Sequence, residues 1–174
     1  KRVKLNKSKL ILDIDQKFTL KATIKPSDAS NKALRWTSSN KKVAKVTSKG
    51  VIKPVSTGTA TITVTTVDGG FKATCKVTVV KRVKKVTLPS AVTVFLGEKE
   101  KLDAVLTPLK PSNSDVTWKS GKKSVATVSK TGLVTAKKTG VTNITVTTDD
   151  GGLKATCKVS VKRKLKSFSL NKKK

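Results

Sequence analysis

Asp13 with Asp15, Glu98 with Glu100, and Asp149 with Asp150 are close carboxylate pairs in a chain that holds 10 acidic residues against 39 basic ones. Paired carboxylates are one minimum for general acid and base work, and Cys75 and Cys157 are the only thiols. The chain has no His and no Tyr, which removes Ser–His and Cys–His nucleophile pairs and every His-ligated metal. On a strand, residues at i and i+2 share one face, here pointing to solvent, so these carboxylates are not expected to form a catalytic cleft. Calcium would need about six to eight oxygens. Asp68, or Asp149 with Asp150, offers few of them at a hairpin tip surrounded by lysine, and Asp before Gly reads as turn chemistry. No catalytic residue, cofactor or metal ligand is expected.

The elements that position these residues are written twice. A spacing of 82 separates Trp36 from Trp118, Ala44 from Ala126, Gly50 from Gly132, Gly58 from Gly140, Asp68 from Asp150 and Cys75 from Cys157. A repeat of that length exceeds a solenoid unit and suits an independent domain of roughly 50–200 residues. The expected division is 1–81, 82–163, and a final 164–174 in which Phe168, Ser169 and Leu170 echo Val86, Thr87 and Leu88 as the start of a further repeat. Lys1 opens the chain without an initiator Met or a signal-peptide pattern, as an excised segment would.

Period-two alternation between turn residues, with no sustained helical periodicity, predicts an all-β chain. Strands are expected at 10–14, 18–24, 34–38, 43–47, 51–54, 59–66 and 71–80, and in the second copy at 92–95, 101–106, 116–119, 125–129, 133–136, 142–148 and 153–161. Ala60, Ile62 and Val64 alternate with Thr59, Thr61, Thr63 and Thr65. Cys75 and Val77 alternate with Lys72, Thr74 and Lys76. The expected core is therefore Trp36, Ile62, Val64, Cys75 and Val77, repeated as Trp118, Ile144, Val146, Cys157 and Val159. Lys72 and Lys76, with Lys154 and Lys158, form the outer face of the last strand. Asp68-Gly69-Gly70 and Asp150-Gly151-Gly152 suit the positive φ of tight hairpins. The cysteines, one per domain, are expected as small buried hydrophobes, since equivalent sites in adjacent domains cannot approach within the roughly 7 Å that a disulfide requires. The link 80–86 carries no Gly or Pro and is read as a short extended connector that makes the modules a fairly stiff rod.

The ordered set Trp36, Ser38, Ser39, Asn40, Val43, Ala44, Val46, Gly50, Gly58, Thr59–Thr63 and Asp68 through Cys75 resembles the bacterial immunoglobulin-like domain, group 2. The second copy repeats it through Trp118, Ser120, Val125, Ala126, Val128, Gly132, Gly140, Ile144, Thr145 and Asp150 through Cys157. It departs at Gly121 and Lys122, where the first has Ser39 and Asn40. The resemblance implies two tandem immunoglobulin-like β-sandwich domains of a bacterial surface protein, of the kind found in adhesin stalks and large cell-wall-linked enzymes. It implies an extracellular location at the cell surface or wall, and a monomer whose partners are neighbouring domains of the same protein.

The net charge of +29 adds a second expectation. Anionic polymers are the natural partners of so positive a surface. Only Arg2, Arg35, Arg82 and Arg163 are arginines, and lysine makes diffuse contacts where arginine would fork onto phosphate. No helix, zinc or arm motif reads bases, and few aromatics are offered for stacking, so no specific nucleic acid is expected. No apolar run approaches the roughly 18 residues of a membrane span. Three functions follow: a non-enzymatic spacer or presentation module of a surface protein, a binding module for an anionic cell-wall polymer or host glycosaminoglycan through Lys72, Lys76, Lys154 and Lys158, or accessory domains of a secreted wall-associated enzyme.

Overall fold

The computed structural model describes residues 1–164, and the chain divides between Arg82 and Val83 into two compact modules. All regular structure among the described residues is strand. The expected third-repeat start at Phe168, Ser169 and Leu170 lies outside the described residues.

In the first module the strands are β1 (Arg2–Leu5), β2 (Lys9–Asp13), β3 (Phe18–Thr19), β4 (Ala22–Lys25), β5 (Leu34–Ser38), β6 (Ala44–Val46), β7 (Val51–Pro54), β8 (Gly58–Thr66) and β9 (Lys72–Val80). They form a four-stranded sheet in the order β2-β9-β8-β5, a three-stranded sheet β3-β7-β6 and a two-stranded sheet β1-β4. The second module repeats the plan with β10 (Lys85–Thr87), β11 (Ala91–Phe95), β12 (Lys99–Lys101), β13 (Val105–Thr107), β14 (Val116–Ser120), β15 (Ala126–Val128), β16 (Leu133–Ala136), β17 (Gly140–Thr148) and β18 (Lys154–Lys162). Its sheets are β11-β18-β17-β14, β12-β16-β15 and β10-β13. The peptide bonds Lys25–Pro26 and Thr107–Pro108 are cis.

Alternation decides what lies inside. Ala60 and Ile62 of β8 and Cys75, Val77 and Val79 of β9 are buried in one cluster with Leu12, Leu20, Val43, Ala44 and Ile52, and Val64 is also fully buried. The second core places Ile144, Cys157 and Val159 against Val94, Leu102, Val125, Ala126 and Val134, with Val146 also fully buried. Trp36 and Trp118 are half-buried and pack on the edges of these clusters. Gly50 explains their seating. Its φ is +77°, its carbonyl accepts the Leu20 N–H at 3.0 Å, and a Cβ there would lie 2.6 Å from the Leu20 carbonyl oxygen and 2.9 Å from Trp36 Cζ2. Gly132 holds the same place against Leu102 and Trp118.

Three expectations are corrected. The segments 18–24 and 101–106 are not single strands. In the first module β3 pairs with β7 and β4 with β1. The switch falls where buried Leu20 donates to Gly50 and the Lys21 N–H turns to Asn6 Oδ1 at 2.9 Å. Second, β1 and β10 are strands that the 82-residue period did not show. Val3 and Val86 are both buried and occupy matching positions, opposite Ile24 and Leu106. They lie 83 apart, because the second copy is one residue shorter before its next strand. Third, the connector is shorter than 80–86: Val83 and Val86 are buried, the Val83 N–H bonds to Asp150 Oδ2 at 2.9 Å, and the Lys84 N–H bonds to the Thr107 carbonyl at 2.7 Å.

The hairpins keep positive-φ glycines, with Gly69 at +74° and Gly70 at +62°. Their closure rests on a threonine in line with the inward residues of its strand. Thr66 is 5 % exposed and Thr148 1 %. The Thr148 hydroxyl donates to the Asp150 carbonyl at 2.8 Å and accepts the Leu153 N–H at 3.0 Å. Thr66 does the same with Asp68 and Phe71. Thr148→Val keeps the shape and leaves both partners unsatisfied, so it is expected to lower the stability of the second module by about 1–3 kcal/mol in urea denaturation.

Candidate functional surface

The chemically capable residues do not converge. Asp15 is exposed, and Asp13 is buried beside it at the end of β2, with Oδ1 lacking a hydrogen-bond partner among the described residues. Asp68 and Asp150 hold the first residues of their own modules: Lys1 Nζ lies 3.9 Å from Asp68 Oδ2, and Asp150 Oδ2 accepts the Val83 N–H. Glu98 pairs with Lys164. Among the described residues, no group of three or more Cys, Asp or Glu side chains could hold a metal.

Cys75 and Cys157 are free and fully buried, and burial pushes both thiols above their ordinary pKa. The thiolate is the reactive form, so a raised pKa lowers reactivity at any pH below it. Native protein at pH 8 is therefore expected to resist a thiol-specific chromogenic disulfide and to release two equivalents of chromophore on denaturation. Rapid labelling of the native chain would contradict this burial.

The outer face of the four-stranded sheet carries the four lysines expected there. Lys72, Lys76, Lys154 and Lys158 are all exposed there. In the first module the register adds two cations that alternation along β9 alone does not reveal. Lys9 of β2 stands beside Lys76, and Arg35 of β5 stands two strands from Lys72, across Thr65. Thr74, Thr63 and Thr37 form the row between. The second module differs: Lys158 is flanked by Ala91 and Asn143, and Thr117 replaces Arg35, while Lys119 stands across Thr145.

The turn at which the copies diverge is preserved by a swap. In the first module Ser39 Oγ accepts the Thr61 N–H at 2.8 Å, and Asn40 Oδ1 accepts the Lys42 N–H at 3.1 Å. In the second, the buried Thr142 hydroxyl, standing where the first has Ala60, accepts the Lys122 N–H at 2.8 Å. The carbonyls of Asn40 and Lys122 then accept the same two amides, Val43 and Ala44 or Val125 and Ala126.

The family model for the bacterial Ig-like domain (group 2) matches residues 1–77 and again 82–159. The chain belongs to this family. As a tandem bacterial Ig-like pair, it is 34 % identical over 162 residues to an uncharacterised protein of Clostridium acetobutylicum, covering 91 % of this chain and 17 % of that protein. It is 36 % identical over 155 residues to an Ig-like virion protein of Serratia phage KSP90, covering 85 % and 60 %. An alpha-L-arabinofuranosidase of Bifidobacterium longum is 37 % identical over 125 residues, 69 % of this chain and 12 % of that enzyme. The bacterial Ig-like pair thus spans between 12 and 60 % of the length of these relatives.

In each Ig-like module an early strand pairs in parallel with the last one. In the first, β2 runs parallel to the last strand, β9, through five residue pairs from Lys9↔Lys76 to Asp13↔Val80. The ladder is closed at one end by the Lys76 N–H on the Ser8 carbonyl at 2.8 Å, and at the other by the Ile14 N–H on the Val80 carbonyl at 2.8 Å. In the second module β11 and β18 pair in parallel from Ala91↔Lys158 to Phe95↔Lys162. That ladder is closed by Lys158 on Ser90 at 3.0 Å and Leu96 on Lys162 at 2.8 Å.

Proposed function

We propose that this chain is a non-catalytic, load-bearing spacer that carries other domains of a secreted or surface-exposed protein. The observation that carries the reading is the parallel pairing of an early strand with the last strand in both modules. In a parallel pair, tension applied at the start of one strand and the end of the other acts along both strand axes. All the ladder hydrogen bonds then resist together, instead of opening one at a time. The Asp68 and Asp150 contacts tie down the first residues of each module, where tension enters.

The relatives support the setting. A glycosidase with most of its length outside the matching stretch, and a virion protein with a smaller part outside it, are what modules that join and space other parts would produce. The carrier is then a virion, surface or secreted protein, an adhesin stalk being one form, and the site of action is extracellular. Pulled end to end, the chain is expected to unfold in two separate steps, each releasing roughly 250 Å, as about 80 residues at up to ~3.6 Å each, less the length of the folded module, require. Release in many small steps at negligible force would contradict a load-bearing role.

A further inference from the structure

We infer that the outer face of the four-stranded sheet in the first module is a docking surface for a linear polysaccharide that carries carboxylate or sulfate groups at intervals. This goes beyond the spacer role and does not depend on it. The register sets out four rows across the sheet. Ile11, Thr78 and Thr59 form the first; Lys9, Lys76 and Thr61 the second; Thr74, Thr63 and Thr37 the third; Lys72, Thr65 and Arg35 the fourth. Rows are two residues apart along the strands, about 6.6 Å, so the two cationic rows stand about 13 Å apart with hydroxyls between them.

Three features of these rows bear on the occupant. Lys9, Arg35, Lys72 and Lys76 are all exposed, and among the described residues none forms an ion pair, so no carboxylate of the protein neutralises them. Lys9 and Lys76 are register partners on adjacent strands, an arrangement of like charges that destabilises the sheet unless an anion lies over it. The row between offers threonine hydroxyls, which donate and accept, and its methyl groups with the 65 % exposed Ile11 offer apolar contact. Spaced cations separated by hydroxyls match a chain of hydroxyl-rich sugars with intermittent charge. A polyol phosphate or a nucleic acid, with a charge on every unit, would be better served by an unbroken row of cations.

The second module lacks this array. Ala91 and Thr117 stand in place of Lys9 and Arg35, and Thr93 in place of Ile11, so Lys154 and Lys158 have no paired cations at either end. The site is therefore single.

Binding of the 174-residue chain to immobilised chondroitin sulfate at about 0.15 M salt tests this, with poly(glycerol phosphate) and duplex DNA as comparison polymers. The quadruple variant Lys9→Gln, Arg35→Gln, Lys72→Gln and Lys76→Gln is expected to weaken glycan binding about tenfold or more. A quadruple of equal charge at Lys21, Lys45, Lys49 and Lys53, on and beside the other sheet, is expected to weaken it less than about threefold, as loss of diffuse attraction alone would. Exposed Lys-to-Gln changes cost little stability, so both variants remain folded. Equal losses in the two quadruples, or binding of either phosphate polymer as tight as that of the glycan, would overturn the assignment.

Discussion

Gly132→Val is expected to unfold the second module while leaving the first folded. Gly132 sits at φ +84°, where a β-branched residue is strongly disfavoured, and its Cβ position lies 2.5 Å from the Leu102 carbonyl oxygen and 2.8 Å from Trp118 Cζ2. Neither neighbour can yield. The Leu102 carbonyl is backbone, and its residue's N–H is bonded to the Gly132 carbonyl at 3.0 Å, so the two chains are fixed together. The indole is packed on the core. The combined cost of strain and overpacking is roughly 3–5 kcal/mol, comparable with the whole stability of a domain of about 80 residues. The chain's two tryptophans, Trp36 and Trp118, stand one in each module, so fluorescence in urea reads each module separately in Trp36→Phe and Trp118→Phe backgrounds. The expected result is loss of the Trp118 transition and an unchanged Trp36 transition. A variant that keeps both transitions within about 0.5 kcal/mol of the parent would show that the glycine is not what seats the tryptophan.

The sequence pattern carried the interior well, and the reasons are local. Alternation within β8, β9, β17 and β18 reports directly which side chains face the core, and Asp-Gly-Gly marks the hairpins between them. Where the reading failed, the deciding interactions were not local. Residues 18–24 alternate without interruption across Leu20, so nothing in that stretch signals that its two halves pair with different strands. The first strand of each module was hidden by a slip of the period from 82 to 83, which carried Val86 out of line with Val3. Thr66 and Thr148 continue the inward alternation of their strands, but only the hairpin geometry shows that each closes the turn from within.

The same distinction applies to the candidate surface. Lys72 and Lys76 are legible because they alternate with core residues on one strand. Lys9 and Arg35 join them only through pairings with sequence separations of 67 and 30, Lys9 to Lys76 and Arg35 to Thr65. The parallel pairing of β2 with β9 was equally hidden, since it is a property of topology that no short motif announces. The repeat therefore preserves both a packed interior and the parallel pairing of an early strand with the last, while the cationic array on its outside is complete in one copy.

The central claim is that the parallel ladders bear load, and the geometry of pulling tests it most directly. Force applied through the chain ends shears β2 against β9. Force applied through handles at Lys7→Cys and Lys72→Cys opens the same ladder from one end, because Lys7 precedes β2 and Lys72, at the start of β9, precedes the stretch of it that pairs with β2. The native cysteines are buried and do not compete for the handles. In single-molecule force measurements the account predicts that the first module withstands a several-fold higher force end to end than through the handles, and that each module releases roughly 250 Å when it yields to end-to-end force. Rupture at the same force in both geometries would contradict it.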